Sequence, residues 1–244
     1  MKKGKEIKMI YICGDLHGGV HNDAKKITTK GLRKQGIIMT EKDYLIVCGD
    51  FGYIWDGSKT DQYYLKWFAS KPYTTLFVDG NHENFPLLNE YPIEEWNGGK
   101  VHVITENKKL LHLMRGQVFT IEEQTFFTFG GAESHDKEYR KEYIDWWREE
   151  LPNKTEIDAA LDNLTKVDYN VDYIISHAAP NWFFKKYFTS TPDKNVLSKF
   201  FDYLEQYVNY GHWYCGHLHI DNTFKECTCL YNNVLVLGEH YPVD

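Results

Sequence analysis

The chain has no long hydrophobic run. Its most apolar stretches, such as Met9 to Cys13, are a handful of residues, far short of the ~20 that a membrane-spanning helix needs. That excludes a helical membrane protein, and no membrane partner is expected. The opening residues MKKGKEIKMIYICGD carry the positive charge of a signal peptide. They lack its apolar core, because Gly14-Asp15 follows at once, so the expected compartment is the cytoplasm. Cysteine is scarce: five residues, an odd number without the spacing of a disulfide framework. Cys13 and Cys48 each end an apolar run and read as buried, reduced thiols. Cys227 and Cys229 would share one face of a strand, but a structural zinc there would need a second pair that the chain lacks. There is no repeat, low-complexity tract or linker, so residues 1–244 are expected to form one domain. Cationic charge is also in deficit. Lys+Arg number 28 against 35 Asp+Glu, a net charge of −7, which argues against non-specific wrapping of nucleic acid.

What the chain does have is core material. Apolar residues make up 42% and aromatics 16%, ample for a sizeable packed interior. Short apolar runs alternate with helical patterns. Ile7–Cys13, Tyr44–Cys48 and Thr74–Val78 read as buried strands, with a helix over Asp61–Ser70 between the second and third, a βαβ rhythm. Val101–Ile104, Leu110–Met114, Gln117–Ile121 and Thr125–Phe129 read as antiparallel hairpins. Tyr139, Tyr143, Trp146 and Trp147 fall at helical spacing, as do Ile157, Leu161 and Leu164. Tyr173–Ser176 is another buried strand, Val196–Val208 a helix, and strands resume from Trp213. Two blocks of strands, each with its own helices, predict an α/β (α+β) domain of two packed sheets flanked by helices.

Five of the predicted strands end in the same kinds of residue. They are Gly14-Asp15-Leu16-His17, Gly49-Asp50, Gly80-Asn81-His82-Glu83, Ser176-His177 and Gly216-His217-Leu218-His219. Open α/β sheets build their sites at this carboxyl edge. Asp15 and His17 stand two apart, so both can reach one metal from a sharp turn, and His217 and His219 repeat the spacing. Two carboxylates, an amide oxygen and four imidazoles are too many donors for one ion. They suit two ions that share a bridging carboxylate. With no thiolate in the set, Mn, Fe or Zn fits better than Cu(I) or an Fe–S cluster. The remaining histidines read as solvated or locally hydrogen-bonded.

The order GDxH…GD…GNHE…H…GHxH resembles the calcineurin-like metallophosphoesterase superfamily. The resemblance runs from Asp15 to His219. It implies a four-layer double β-sandwich with helices outside and a dinuclear metal centre of two divalent transition-metal ions. By motif, Asp15, His17 and His219 would hold one ion, and Asn81, His177 and His217 the other, with Asp50 bridging. His82 would be the proton-donating or phosphate-binding histidine rather than a ligand. Gly14-Asp15-Leu16-His17-Gly18 is similar to the start of the Ser/Thr protein phosphatases. Their second motif, Gly-Asp-x-x-Asp-Arg-Gly, is not matched: Tyr53 and Ile54 stand where the Asp-Arg pair would be. Asp56 is a candidate to replace that aspartate. The stretch from Gly130 to Asp136, with Arg140 and Trp146-Trp147, resembles a bacterial and phage branch. Arg140 and Arg115 are candidates to clamp a substrate phosphate, because a guanidinium matches two phosphate oxygens at once. Trp55 and Tyr53 are candidates to wall the pocket.

The resulting expectation is a dinuclear metal-dependent phosphoesterase. A metal-bridging hydroxide would attack phosphorus and His82 would protonate the leaving alkoxide. Mn2+ is the expected ion, with Fe and Zn open. Either phosphate monoesters or diesters would be hydrolysed, with small phosphomonoesters, nucleotides or dinucleotides ranking first as substrates. Nucleic-acid phosphodiesters come second, possible but not favoured for an acidic chain. Phosphoprotein comes third, for want of the Asp-Arg pair. The alternative from another class is a non-catalytic, metal-bearing binding module.

Overall fold

A computed structural model describes residues 8–242. The predicted start of the first strand at Ile7 lies outside the described residues. In chain order the strands are β1 (Ile10–Cys13), β2 (Tyr44–Val47), β3 (Thr74–Phe77), β4 (Ile93–Trp96), β5 (Gly99–Val103), β6 (Leu110–Leu113) and β7 (Gln117–Ile121). There follow β8 (Gln124–Phe129), β9 (Asn170–Ser176), β10 (Asn209–Cys215), β11 (Asn222–Phe224), β12 (Cys227–Cys229) and β13 (Leu235–Val236). The α-helices are α1 (Thr29–Lys34), α2 (Lys59–Ala69), α3 (Phe85–Leu88), α4 (Lys154–Thr165), α5 (Asn181–Tyr187) and α6 (Val196–Tyr207).

Two mixed sheets result. One runs β13-β1-β2-β3-β6-β5-β4 and the other β11-β12-β10-β9-β8-β7. β1, β2, β3 and β6 are parallel, as are β8, β9, β10 and β12. The expected antiparallel hairpins appear at β5-β6 and β7-β8, and β4, a strand the sequence pattern does not predict, pairs antiparallel with β5. The chain changes sheets between β6 and β7, so the middle block serves both. The β7-β8 turn falls on Glu122 and Glu123, both at positive φ (50° and 68°), the backbone a two-residue hairpin turn requires.

Alternation along β1 explains the layering. Ile10 and Ile12 join a core shared with Phe126, Ile175 and Tyr214 of the other sheet, while Tyr11 and Cys13 join Leu32 of α1 and Phe68 of α2. Strands buried on both faces read as unbroken apolar runs. On the far side Phe129, Ile174 and Trp213 pack against Leu197, Phe200 and Leu204 of α6 and Ala160 and Leu164 of α4. Each such side chain contributes ~1.5–3 kcal/mol when fully buried. The order of layers is therefore helix, sheet, sheet, helix, as expected. All five cysteines are buried and reduced.

One predicted helix is absent. Between Lys137 and Glu150 the chain forms two single-turn 3-10 helices, Lys137–Tyr139 and Arg148–Glu150. Tyr143 has φ 62° and its N–H donates to the Trp146 carbonyl, so a helix cannot run through. Tertiary contacts outweigh the helical spacing here. Trp147 is buried edge-on against Trp55, and Glu150 is drawn inside to accept from Ser134.

Candidate metal centre

The ends of β1, β2, β3, β9 and β10 converge. Asp15 and His17 follow β1, Asp50 follows β2, Asn81 and His82 follow β3, His177 follows β9, and His217 and His219 follow β10. Three sets of side chains place one donor atom each within metal-chelating reach of one another. They are Asp15–His17–His219, Asp50–His177–His217 and His17–Asp50–His82. Asp50 belongs to both halves. Its Oδ2 lies 3.0 Å from His17 Nε2 and its Oδ1 lies 3.2 Å from His177 Nε2. Asp15 Oδ2 lies 3.2 Å from His219 Nε2, and Asn81 Oδ1 lies 3.3 Å from His177 Nε2.

The backbone is strained to achieve this. His17, Asp50, His217 and His219 have φ of 45°, 46°, 66° and 52°, a region non-glycine residues seldom occupy outside functional loops. The preceding glycines make room. A Cβ on Gly80 would overlap the Asp50 carboxylate and backbone, and one on Gly216 would overlap Asp15 Oδ1. The Gly-Asp, Gly-Asn and Gly-His pairs in the sequence are thus close-approach positions as well as turns.

Outer contacts fix the inner ones, and the sequence motifs did not reveal them. Asp23 Oδ2 binds His17 Nδ1 at 2.8 Å, and Tyr231 donates to Asp23 Oδ1 while its ring stacks on His219 at 4.4 Å. Cys48 carbonyl oxygen holds His177 Nδ1 at 2.8 Å, leaving Nε2 for the centre. Asn81 Nδ2 donates to Ser134 Oγ (3.1 Å), and Ser134 in turn donates to the buried Glu150 (2.8 Å). That fixes the amide with its oxygen toward the cluster. Glu83 accepts from Phe51 N at 2.7 Å, anchoring the loop after Asp50.

Charge supports a cationic occupant. Asp15 and Asp50 are buried, and among the described residues no lysine or arginine side chain pairs with either carboxylate. Lys26 donates to the Asp15 backbone carbonyl instead. Burial opposes their ionisation, yet the imidazoles hold Asp15 below and Asp50 well below the usual carboxylate range. For His177 burial acts downward, but the Asp50 and Asp15 carboxylates prevail and lift it to about 9. Burial pushes His217 down to about 3, a neutral ring suited to metal ligation. Two buried negative charges faced by oxygen and imidazole donors match a divalent transition metal, and the absence of sulfur from the set fits Mn, Fe or Zn.

The other predicted residues divide. His82 is half-buried, its N–H donates to Asp50 Oδ1 at 2.8 Å, and its ring meets His17 edge-on at 5.1 Å. Among the described residues no carboxylate hydrogen-bonds its ring. Burial lowers its pKa, Asp50 opposes that, and His17 and Arg140 add to the fall. Arg140 is held by Asp136 (2.8 Å) and the Asp145 carbonyl (3.1 Å). Arg115 is not brought to the cluster. Its guanidinium is buried in a paired contact with Asp79 Oδ2 (2.9 and 2.6 Å) and bonds the Glu149 carbonyl. Asp56 turns its Oδ1 to Ser58 N at 2.9 Å and does not orient His82. Tyr53 is buried among Phe51, Tyr64 and Phe68, whereas Trp55 lines the cavity beside His82. The Cys227–Cys229 pair faces buried Cys215 (Cys215 to Cys227 Sγ, 3.9 Å), and burial raises all three thiols, so they are not poised as zinc thiolates.

Two packed sheets carry an oxygen–nitrogen donor basin at their carboxyl edges, a site suited to divalent metal. The family model described as calcineurin-like phosphoesterase matches residues 8–221, and the chain belongs to that family. A solved structure with a similar fold is a Staphylococcus aureus protein provisionally named a 5′-nucleotidase, in complex with alpha-ketoglutarate. The two are 14% identical, with a TM-score of 0.52 over 91% of this chain and 48% of that one. The chain spans about half the length of that neighbour, and the likeness is one of fold. No curated protein matches the sequence. No helix among the described residues is long and apolar enough to cross a membrane.

Proposed function

We propose that the chain hydrolyses monoesters of phosphate with small alcohols, nucleotides among them, at a centre of two divalent metal ions. The observation that carries this reading is Asp50, whose two oxygens face two different histidines at 3.0 and 3.2 Å, the arrangement a shared ligand needs. Asp15, His17 and His219 would hold one ion and Asn81, His177 and His217 the other. The donor set favours Mn2+, with Fe and Zn as alternatives. When bound, the ions supply Lewis acidity, which acidifies water and offsets phosphate charge.

The chain's own groups do the rest. Asp23 and the Cys48 carbonyl fix the ring orientations of His17 and His177, and Ser134 fixes the Asn81 amide. His82 stands at the wall of a cavity of about 660 Å3 and would deliver a proton to the departing alkoxide. Arg140 places positive charge near His82 and would hold a non-bridging phosphate oxygen. The nucleotidase name of the structural neighbour accords with a nucleotide substrate. The reading takes the chain as one catalytic domain, because the core between the sheets draws residues from Ile10 to Leu230.

The test is a phosphomonoester and phosphodiester panel assayed with Mn2+ and with chelator, joined to elemental analysis. About two ions per chain are expected from the two-metal arrangement, and Asp50→Asn should weaken both sites. One ion per chain, undisturbed in Asp50→Asn, would overturn the dinuclear assignment.

A further inference from the structure

The cavity beside His82 has a definite chemistry. Trp55, Val20 and Tyr231 give it apolar walls, Asp23, Asp56 and Asp61 line it with carboxylates, and no lysine or arginine is among its lining residues. Asp61 Oδ2 is tied to the backbone N–H groups of Trp55, Asp56 and Gly57 at 2.8–2.9 Å, and Asp23 is tied to His17 and Tyr231. These carboxylates are built into the cavity rather than waving in solvent. Asp56 is the exposed member at the mouth. A second cavity, of about 540 Å3, adjoins the centre on the His217 side. It carries Asp193 and Glu133, the latter paired with Lys137 at 3.3 Å, and no lysine or arginine is among its own lining residues.

From this we infer that the site selects its leaving group by charge. It takes the phosphate monoester of a neutral or cationic, ring-bearing or amine-bearing alcohol, and it rejects leaving groups that carry a further anion. The inference rests on the phosphoesterase reading above and narrows it. The phosphoryl group is drawn by the centre, while the rest of the substrate must enter a carboxylate-lined cavity. Arg140 is assigned above to the reacting phosphoryl group, so neighbouring phosphates of a nucleic-acid strand would meet carboxylates on both sides, with no Lys or Arg among the lining residues of either cavity. A nucleoside suits the cavity better: its ring can stack on Trp55, and its hydroxyl and amino donors can reach carboxylate oxygens.

The test compares three esters of one scaffold with the Mn2+-loaded protein: 3-aminopropyl phosphate, propyl phosphate and 3-phosphooxypropanoate. The aminopropyl and propyl esters should exceed the propanoate in kcat/KM by about tenfold, mostly through KM, as a few nearby charges at the edge of solvent would give. The gap should shrink as salt rises. Asp56→Asn, whose amide oxygen can keep the Ser58 contact, should lift the propanoate-to-propyl ratio about threefold. A readout independent of turnover is Trp55 fluorescence, taken as wild type minus Trp55→Phe. Caesium should quench it more than iodide does.

Equal kcat/KM for the three esters, or stronger quenching by iodide, would overturn the inference while leaving the phosphomonoesterase reading intact. Hydrolysis of bis(nitrophenyl) phosphate with none of the three monoesters turned over would overturn the monoester reading itself, and the charge rule with it.

Discussion

At the residue scale, the proposed ligands and His82 are neighbours with different duties. Asn81 is locked through Ser134 and Glu150, whereas His82 opens onto the cavity. His82→Ala should therefore retain its metals and lose turnover in a leaving-group-dependent way. An alkyl phosphate should lose ~10²–10⁴-fold, the contribution of a general acid, and a nitrophenyl phosphate clearly less, because nitrophenolate hardly needs a proton. Equal losses on both would rule out proton donation, and loss of a metal would make His82 a ligand. The third donor set, His17–Asp50–His82, makes that control worth running. The outer contacts predict a second result. Asp23→Ala removes the acceptor on His17 Nδ1 and the anchor of Tyr231, so one ion should bind ~10–100-fold more weakly, read by metal titration calorimetry. Unchanged affinities would show that His17 needs no such support.

At the element scale, what could be read from sequence was what local pattern determines. β1, β2, β3, β9 and β10 are apolar runs ended by glycine or a polar ligand type, so strand and site announce themselves together. The helix expected around Tyr139–Trp147 does not form, because Trp147 and Glu150 find partners far along the chain, at Trp55 and Ser134. The roles of Asp23, Ser134, Glu150 and Tyr231 are not legible in sequence for the same reason: they arise only across the fold. Asp23 six residues beyond His17 was the nearest thing to a signal. Arg115 is instructive. At the end of β6 it looks like an anion clamp, yet it ties Asp79 after β3 to the Glu149 carbonyl and to Glu156 of α4. Arg115→Ala should cost about 3–5 kcal/mol, the usual effect of stranding one member of a buried pair, while any folded fraction keeps its kcat. Denaturant melts and active-site-normalised rates separate the two. A stable variant with lost kcat would return Arg115 to the substrate.

At the scale of the whole molecule, stability should fall on the acid side before the carboxylates titrate. Burial, reinforced by His240, depresses His212 to about 4, and burial, reinforced by His112, depresses His102 to about 4. Both rings are neutral in the fold and take up protons near pH 6.5 once unfolded. Their contribution is therefore complete above pH 6.5 and disappears as pH falls through about 4. The upper bound is about 3 kcal/mol each. Urea melts from pH 7.5 to 4.5 should show the decline, and His212→Gln, which keeps a polar group for Thr228, should flatten it. An unchanged slope in that variant would assign the decline elsewhere.

The left-handed backbone at His17, Asp50, His217 and His219 has a consequence for how such a protein is inherited and engineered. Each non-glycine residue held there forgoes roughly 1–2 kcal/mol, a penalty that glycine at the same position would largely escape. A population screened only for soluble expression would thus drift toward glycine at the very positions proposed to hold the metals. Such lineages would yield sturdier, inert descendants, and their accumulated substitutions would mark out the centre as clearly as an activity screen.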